Sequence, residues 1–117
     1  MNSVPLIDKP TLDDLIEAIG EDGARSVLGL FVGESRNYLK IIAEAAANPS
    51  DAARRERARR AAHSFKSGAG QVGAAAVAAA AAAVEQAAQA GSDVAKAATV
   101  LETCTAETIE AFAPMLG

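Results

Sequence analysis

The residues best suited to chemistry lie in one short stretch of the chain, around its single histidine, His63. Imidazole is the side chain that is largely neutral, nucleophilic and exposed near pH 7. Lys66 follows three residues later and, in a helix, lies one turn away on the same face. A phosphoryl group on His63 would bring roughly −1.5 to −2 charges, by analogy with other phosphorylated side chains, and an ammonium group can balance them. The pair favours phosphoryl chemistry, although a lone histidine in a helix is more often structural.

The helix predicted from about Asp51 to about Gly70 has two distinct faces. Its apolar face carries Ala58, Ala61, Ala62, Phe65 and Ala69, whereas its polar face carries Glu56, Arg59, Arg60, His63, Lys66 and Ser67. The residues that follow Lys66, from Ser67 to Gly70, are all small, so nothing bulky there shields the imidazole from a partner. Arg59 and Arg60 lie one turn before His63, where they could reach a phosphate or steer an acidic partner. The alternative is a plain solvated helix face.

The rest of the chain predicts the scaffold that positions these residues. Thirty of the 117 residues are alanine and only four are aromatic, which favours helices over strands. Apolar periodicity and breakers predict helices over about residues 11–20, 22–47, 51–70, 74–90 and 92–113. We therefore expect an all-α fold, an antiparallel four-helix bundle with a short additional N-terminal helix. Residues 11–113 form its single domain, with residues 1–10 and 114–117 as tails.

Several classes of protein are disfavoured by composition. A net charge of −4 argues against nucleic-acid binding, which depends on cations at phosphates. The longest run of small and apolar residues, Val72 to Val84, is too short for a membrane span, which needs about 20 apolar residues. One cysteine, Cys104, permits neither an internal disulfide nor a Cys-based zinc site. With no visible signal peptide, the expected location is the cytoplasm.

The stretch from Ala62 to Ala74, AHSFKSGAGQVGA, resembles the signature of histidine-containing phosphotransfer (HPt) domains. That signature runs roughly A-H-x-L-K-G-x-A/S-x-x-L/V-G-A and is followed by a helix ending in leucine and glutamate, here Val84 and Glu85. The resemblance covers about residues 11–113. The combination of histidine, lysine at plus three and Gly-Ala at plus ten and eleven is specific, whereas His-x-x-Lys alone is weak.

The resemblance implies a phosphorelay intermediate in which His63 is phosphorylated and Lys66 steadies its phosphate. Its partners would be the receiver domain of a hybrid histidine kinase and that of a response regulator, with no nucleic acid or membrane. Arg59, Arg60, Ser67 and Gly70 are the candidate partner-binding residues. No cofactor is expected, because the Mg²⁺ of such transfers belongs to the receiver. We expect a monomer, because that is the more common oligomeric state in this family.

Enzymatic activity is not expected, because the chain lacks a G-x-x-x-x-G-K-[ST] motif and a second acid–base candidate. Two departures from the signature concern the site: Ser67 stands where glycine is usual, and Phe65 where leucine is usual. Val77, Ala80 and Val84 also replace leucines in the following helix. A helical adaptor that binds receivers without carrying phosphate remains the alternative, and an excised module would look like a stand-alone protein.

Overall fold

The computed structural model describes residues 4–116, which form four helices: α1 (Lys9–Ala47), α2 (Ala52–Gln71), α3 (Ala75–Gln89) and α4 (Ala95–Leu116). The turns between them are only three to five residues long, so consecutive helices run antiparallel. Both α1 and α3 pack against α2 and α4, which places α2 diagonally opposite α4. No strand occurs in residues 4–116, and the predicted all-α bundle is confirmed. No helix in this range combines the length and hydrophobicity needed to cross a bilayer.

The predicted N-terminal helix is the first arm of α1 and not a separate element. The predicted break falls at Gly20, whose backbone is non-helical (φ 80°, ψ 169°), and the helix resumes directly after this kink. The predicted start at Thr11 was wrong by two residues, because Asp8 occupies the N-cap position and Pro10 lies in the first turn. Thr11 instead donates a hydrogen bond from Oγ1 to Asp8 Oδ2 at 2.8 Å.

The predicted tails also need correction where helices extend into them. Residues 9–10 are helical, and α4 continues through Pro114 to Leu116 although the proline was expected to stop it. Proline removes one amide donor, but only a final short turn follows it. Arg25 fixes that turn, because its Nε donates to the Met115 carbonyl oxygen at 3.2 Å. Of the remaining predicted tail residues, 4–8 are not helical, and 1–3 and 117 lie outside the described range.

The core is built on few large side chains, because most of α3 is alanine. Phe31, Phe65 and Phe112 meet at its centre, with ring centroids of Phe31 6.0 Å from Phe65 and 6.2 Å from Phe112. Helix α3 contributes mainly small buried residues: Ala76, Val77, Ala80, Ala81, Val84 and Ala88. The buried face of α2 therefore packs on an aromatic layer, and the neighbouring helix α3 is rich in alanine.

Gly73 in the α2–α3 turn joins this turn to the segment before α1. Its carbonyl oxygen accepts a hydrogen bond from the Asp8 amide at 2.7 Å. Its φ is +77°, and a Cβ added there would lie 2.8 Å from the Asp8 carbonyl oxygen. Only glycine fits that conformation and that approach without strain. The glycine of the signature thus sets the relative position of α2 and α3, which carry the site.

Candidate functional site

Helix α2 presents His63 at mid-length on its solvent side. The helix begins at a proper cap, because the Asp51 side chain accepts a hydrogen bond from the Arg54 amide at 3.0 Å. Phe65, only 1% exposed, anchors the opposite side of the helix to the core. The His63 side chain remains 62% exposed, so a macromolecular partner can reach its ring.

The neighbouring helix supplies a carboxylate to this histidine. Glu85 on α3 is nearly buried, with 10% of its side chain exposed, and its Oε2 lies 2.8 Å from His63 Nδ1. Its other oxygen, Oε1, accepts a hydrogen bond from Lys66 Nζ at 2.7 Å. The three side chains form a cluster that spans α2 and α3, which we call the His63–Glu85–Lys66 cluster.

The charge of Glu85 determines which ring nitrogen of His63 carries a proton and which keeps a free lone pair. The hydrogen bond from Lys66 is the main cause that lowers the pKa of the Glu85 carboxyl, and the contact with His63 lowers it further. An ionised carboxylate only accepts hydrogen bonds, so His63 Nδ1 must carry a proton and donate it. In a neutral imidazole the other nitrogen, Nε2, then keeps its lone pair. Glu85 therefore leaves Nε2 as the nucleophilic atom of an exposed histidine.

Lys66 lies where the helical spacing predicted, beside His63, but its ammonium is engaged with Glu85. Its charge is thus already part of the site in the unphosphorylated protein. Its role in steadying a phosphate stays a prediction.

The surface around the imidazole is open on the side of α2 away from the core. Ser67 and Gly70 are both exposed. A Cβ added at Gly70 or Gly68 would meet nothing within 4 Å. The small residues therefore leave room for a partner, as the sequence predicted, and whether one binds there stays a prediction.

The two predicted arginines differ in how freely they can contact a partner. Arg59 pairs bidentately with Glu56, with Nε and Nη2 each 2.7 Å from a carboxylate oxygen. This pairing is the main cause that raises the pKa of Arg59 and lowers the pKa of Glu56. Arg60 Nε lies 3.8 Å from the same carboxylate, and its side chain is 67% exposed. Arg60 is therefore the freer cation, and Arg59 is largely committed to Glu56.

Sequence reasoning assigned no role to Glu85. The available signal was its place as the glutamate that closes the signature, 22 residues after the histidine. Spacing alone could not connect the two, because they lie on different helices across a turn. Within residues 4–116 there is no group of three His, Cys, Asp or Glu side chains that could hold a metal ion. The expectation of no cofactor stays a prediction.

Comparisons with known proteins give two findings. The family model described as the Hpt domain matches residues 26–112. The crystal structure of histidine-containing phosphotransfer protein B (HptB) from Pseudomonas aeruginosa PAO1 is similar, with a TM-score of 0.82 and 26% identity. That similarity covers 96% of this chain and 95% of the other. A search of curated proteins finds no match.

Proposed function

Because the chain belongs to the Hpt domain family, we propose that His63 accepts a phosphoryl group from a receiver phospho-aspartate and passes it to an aspartate of a response regulator receiver. Hpt proteins act in histidine phosphotransfer as phosphocarriers and are not enzymes. The observation that carries the assignment to His63 is its exposed ring with Nδ1 held 2.8 Å from Glu85. This arrangement orients the imidazole and leaves Nε2 outside the contact with Glu85.

Transfer to the protein begins with attack of the Nε2 lone pair on phosphorus. The new N–P bond forms as the P–O bond to the aspartate breaks, and the carboxylate leaves with the electron pair. Phosphoryl transfer depends mainly on positioning and on charge stabilisation. The product ring is an imidazolium with a proton on Nδ1, and Glu85 is already placed to stabilise that positive charge. Transfer to a second aspartate is the same step in reverse.

Lys66 supplies the balancing charge on the phosphate side of this scheme. Its ammonium lies one helical turn from the imidazole and is fixed by Glu85 at 2.7 Å. A cation held in place needs little reorganisation when a phosphoryl group arrives. Mg²⁺ is not needed on this chain, since it would be bound by the receiver's acidic pocket.

The docking surface for the receiver is expected around Arg60, Ser67 and Gly70, with Arg59 at its edge. Small side chains let a partner aspartate approach Nε2 closely. Next to Tyr38, helix α1 presents the exposed Leu30 between two glycines, Gly29 and Gly33. An apolar residue among small ones suits the centre of an interface.

Transfer from phosphorylated receivers of the source organism tests the proposal. We expect an acid-labile, alkali-stable label on the wild-type protein and none on His63→Gln, with both proteins equally helical by circular dichroism. Equal labelling of His63→Gln would overturn the assignment. A receiver that binds the wild type without ever labelling it would favour the adaptor alternative.

A second variant tests the role of Glu85. Glu85→Gln keeps the side-chain shape but removes the charge that selects the tautomer. By analogy with carboxylates that orient metal-bound histidines, we expect transfer to slow by roughly 10- to 100-fold. Glu110→Gln, at an exposed position on α4, is the matched control and should transfer normally. An unchanged rate for Glu85→Gln would remove Glu85 from the mechanism.

A further inference from the structure

A groove lies between α1 and α2 on the side of α2 that carries Ser64, the residue after His63. It has a volume of about 370 Å³ and is lined by Tyr38, Ile41, Arg57, Arg60, Ala61 and Ser64. The Tyr38 ring packs against Phe65, with centroids 5.3 Å apart, so the floor of the groove rests on the core. The groove is therefore shallow and open, with an apolar floor and a cationic rim.

The positive charge at the rim of the groove is only partly neutralised by side chains of residues 4–116. Glu56 is the carboxylate near these cations, and Arg59 occupies both of its oxygens at 2.7 Å. Arg60 is only loosely paired with it, at 3.8 Å. Arg57 is exposed and makes no ion pair within residues 4–116. Two guanidinium groups one turn apart thus face solvent along a chain whose net charge is −4.

The groove falls within reach of a partner that docks at His63. Arg60 and Arg57 lie three and six residues before His63, which is about 4.5 and 9 Å along the helix axis at 1.5 Å per residue. A standard interface covers about 800 Å² per partner, or a disc of roughly 16 Å radius. A receiver centred on the imidazole therefore extends far enough along the axis of α2 to reach both arginines on the side that faces α1.

We infer that Arg57 and Arg60, with the Tyr38–Ile41 floor, form a recognition site for an acidic side chain next to an apolar one on the receiver surface. This inference rests on the proposed function and adds which residues select the partner. A guanidinium pairs with carboxylate in a planar, bidentate geometry that an ammonium does not reproduce. The apolar neighbour would cover the exposed parts of Tyr38 and Ile41. Receivers with basic or neutral residues at that place gain no ion pair with Arg57 or Arg60, and so bind less well.

The test measures the second-order rate of phosphotransfer from the receiver that labels the wild type fastest. For Arg57→Gln/Arg60→Gln we expect about a tenfold lower rate at low ionic strength, shrinking to less than about threefold in 0.5 M salt, because steering by exposed charges is screened. Arg57→Lys/Arg60→Lys keeps the charge but loses the bidentate geometry, so its rate at low salt should lie between those of the wild type and the glutamine variant.

Lys96→Gln is the matched control, since it removes an exposed cation on α4, the helix diagonally opposite α2. It should transfer at the wild-type rate. If the wild type accepts phosphate normally and Arg57→Gln/Arg60→Gln has the same transfer rate, this inference is overturned and the proposed function is not. No transfer from any receiver to the wild type would overturn the proposed function and this inference with it. Sedimentation showing a wild-type dimer that the double variant dissociates would make the groove an interface between copies, and would also overturn the receiver assignment.

Discussion

Phe65 carries a disproportionate share of the stability of this bundle, and Phe65→Ala measures that share. The side chain is 1% exposed and contacts two other rings, Phe31 at 6.0 Å and Tyr38 at 5.3 Å between centroids. Truncating a buried phenylalanine to alanine costs about 3–5 kcal/mol in transfer and cavity terms. Aromatic pairs add about 0.5–1.5 kcal/mol beyond burial. The alanines around the site have no long side chains that could refill the space, so we expect a loss of about 4 kcal/mol.

The loss is large enough to be measured by thermal or urea unfolding. Unfolding entropy of about 2.1 cal/mol/K per residue gives roughly 0.25 kcal/mol/K for this chain, so 4 kcal/mol lowers Tm by about 16 °C. Phe65→Leu places the residue usual in the signature at the same position and should cost only about 1–2 kcal/mol. Val100→Ala, at an exposed site on α4, serves as a surface control.

The reasoning fails if Phe65→Ala unfolds within about 5 °C of the wild type under two-state conditions. It also fails if Phe65→Leu and Phe65→Ala lose the same stability, because the cavity argument requires the cost to rise with the volume removed.

Three further perturbations test other parts of the structure. Thr108→Val should raise the free energy of unfolding by about 1 kcal/mol, since Thr108 Oγ1 is buried without a hydrogen-bond partner in residues 4–116; a loss in urea unfolding would contradict this. Gly73→Ala should cost about 1–2 kcal/mol or more, because of its positive φ and the approach of Asp8; equal stability in the same assay would refute the close-approach argument. The hydrogen bond from Lys66 is the main cause that lowers the pKa of Glu85. The ionised Glu85 carboxylate therefore stabilises the fold fully above its ordinary pKa of 4.5, and this stabilisation is lost as the pH falls through the lowered pKa. The stability gap between wild type and Glu85→Gln should therefore narrow in acid, and a gap that widens below pH 4.5 would show the sign to be wrong.

Helix positions followed closely from local signals in the chain. The breaks at Gly20, around Pro49 and at Gly91 all correspond to interruptions or ends in the structure, because glycine and proline act through their own backbone restrictions. The ends of the domain were less predictable. Helix α1 begins before Thr11, where the Asp8 amide bonds to the Gly73 carbonyl oxygen, and Arg25 supports the turn after Pro114, and a local pattern contains neither contact.

The sequence by itself determined the helical class, the polar face that bears His63, and the family signature around it, since all three depend on residue type and short-range spacing. Only the tertiary structure decided that Glu85, 19 residues after Lys66, bridges it to His63, and that Tyr38 and Ile41 of α1 line a groove with Arg57 and Arg60 of α2. The physical reason is the separation along the sequence between the residues that make contact. Periodicity fixes which way a side chain points from its own helix, whereas a carboxylate on α3 and a tyrosine on α1 reach α2 only after the helices have packed and Gly73 has set the turn between α2 and α3.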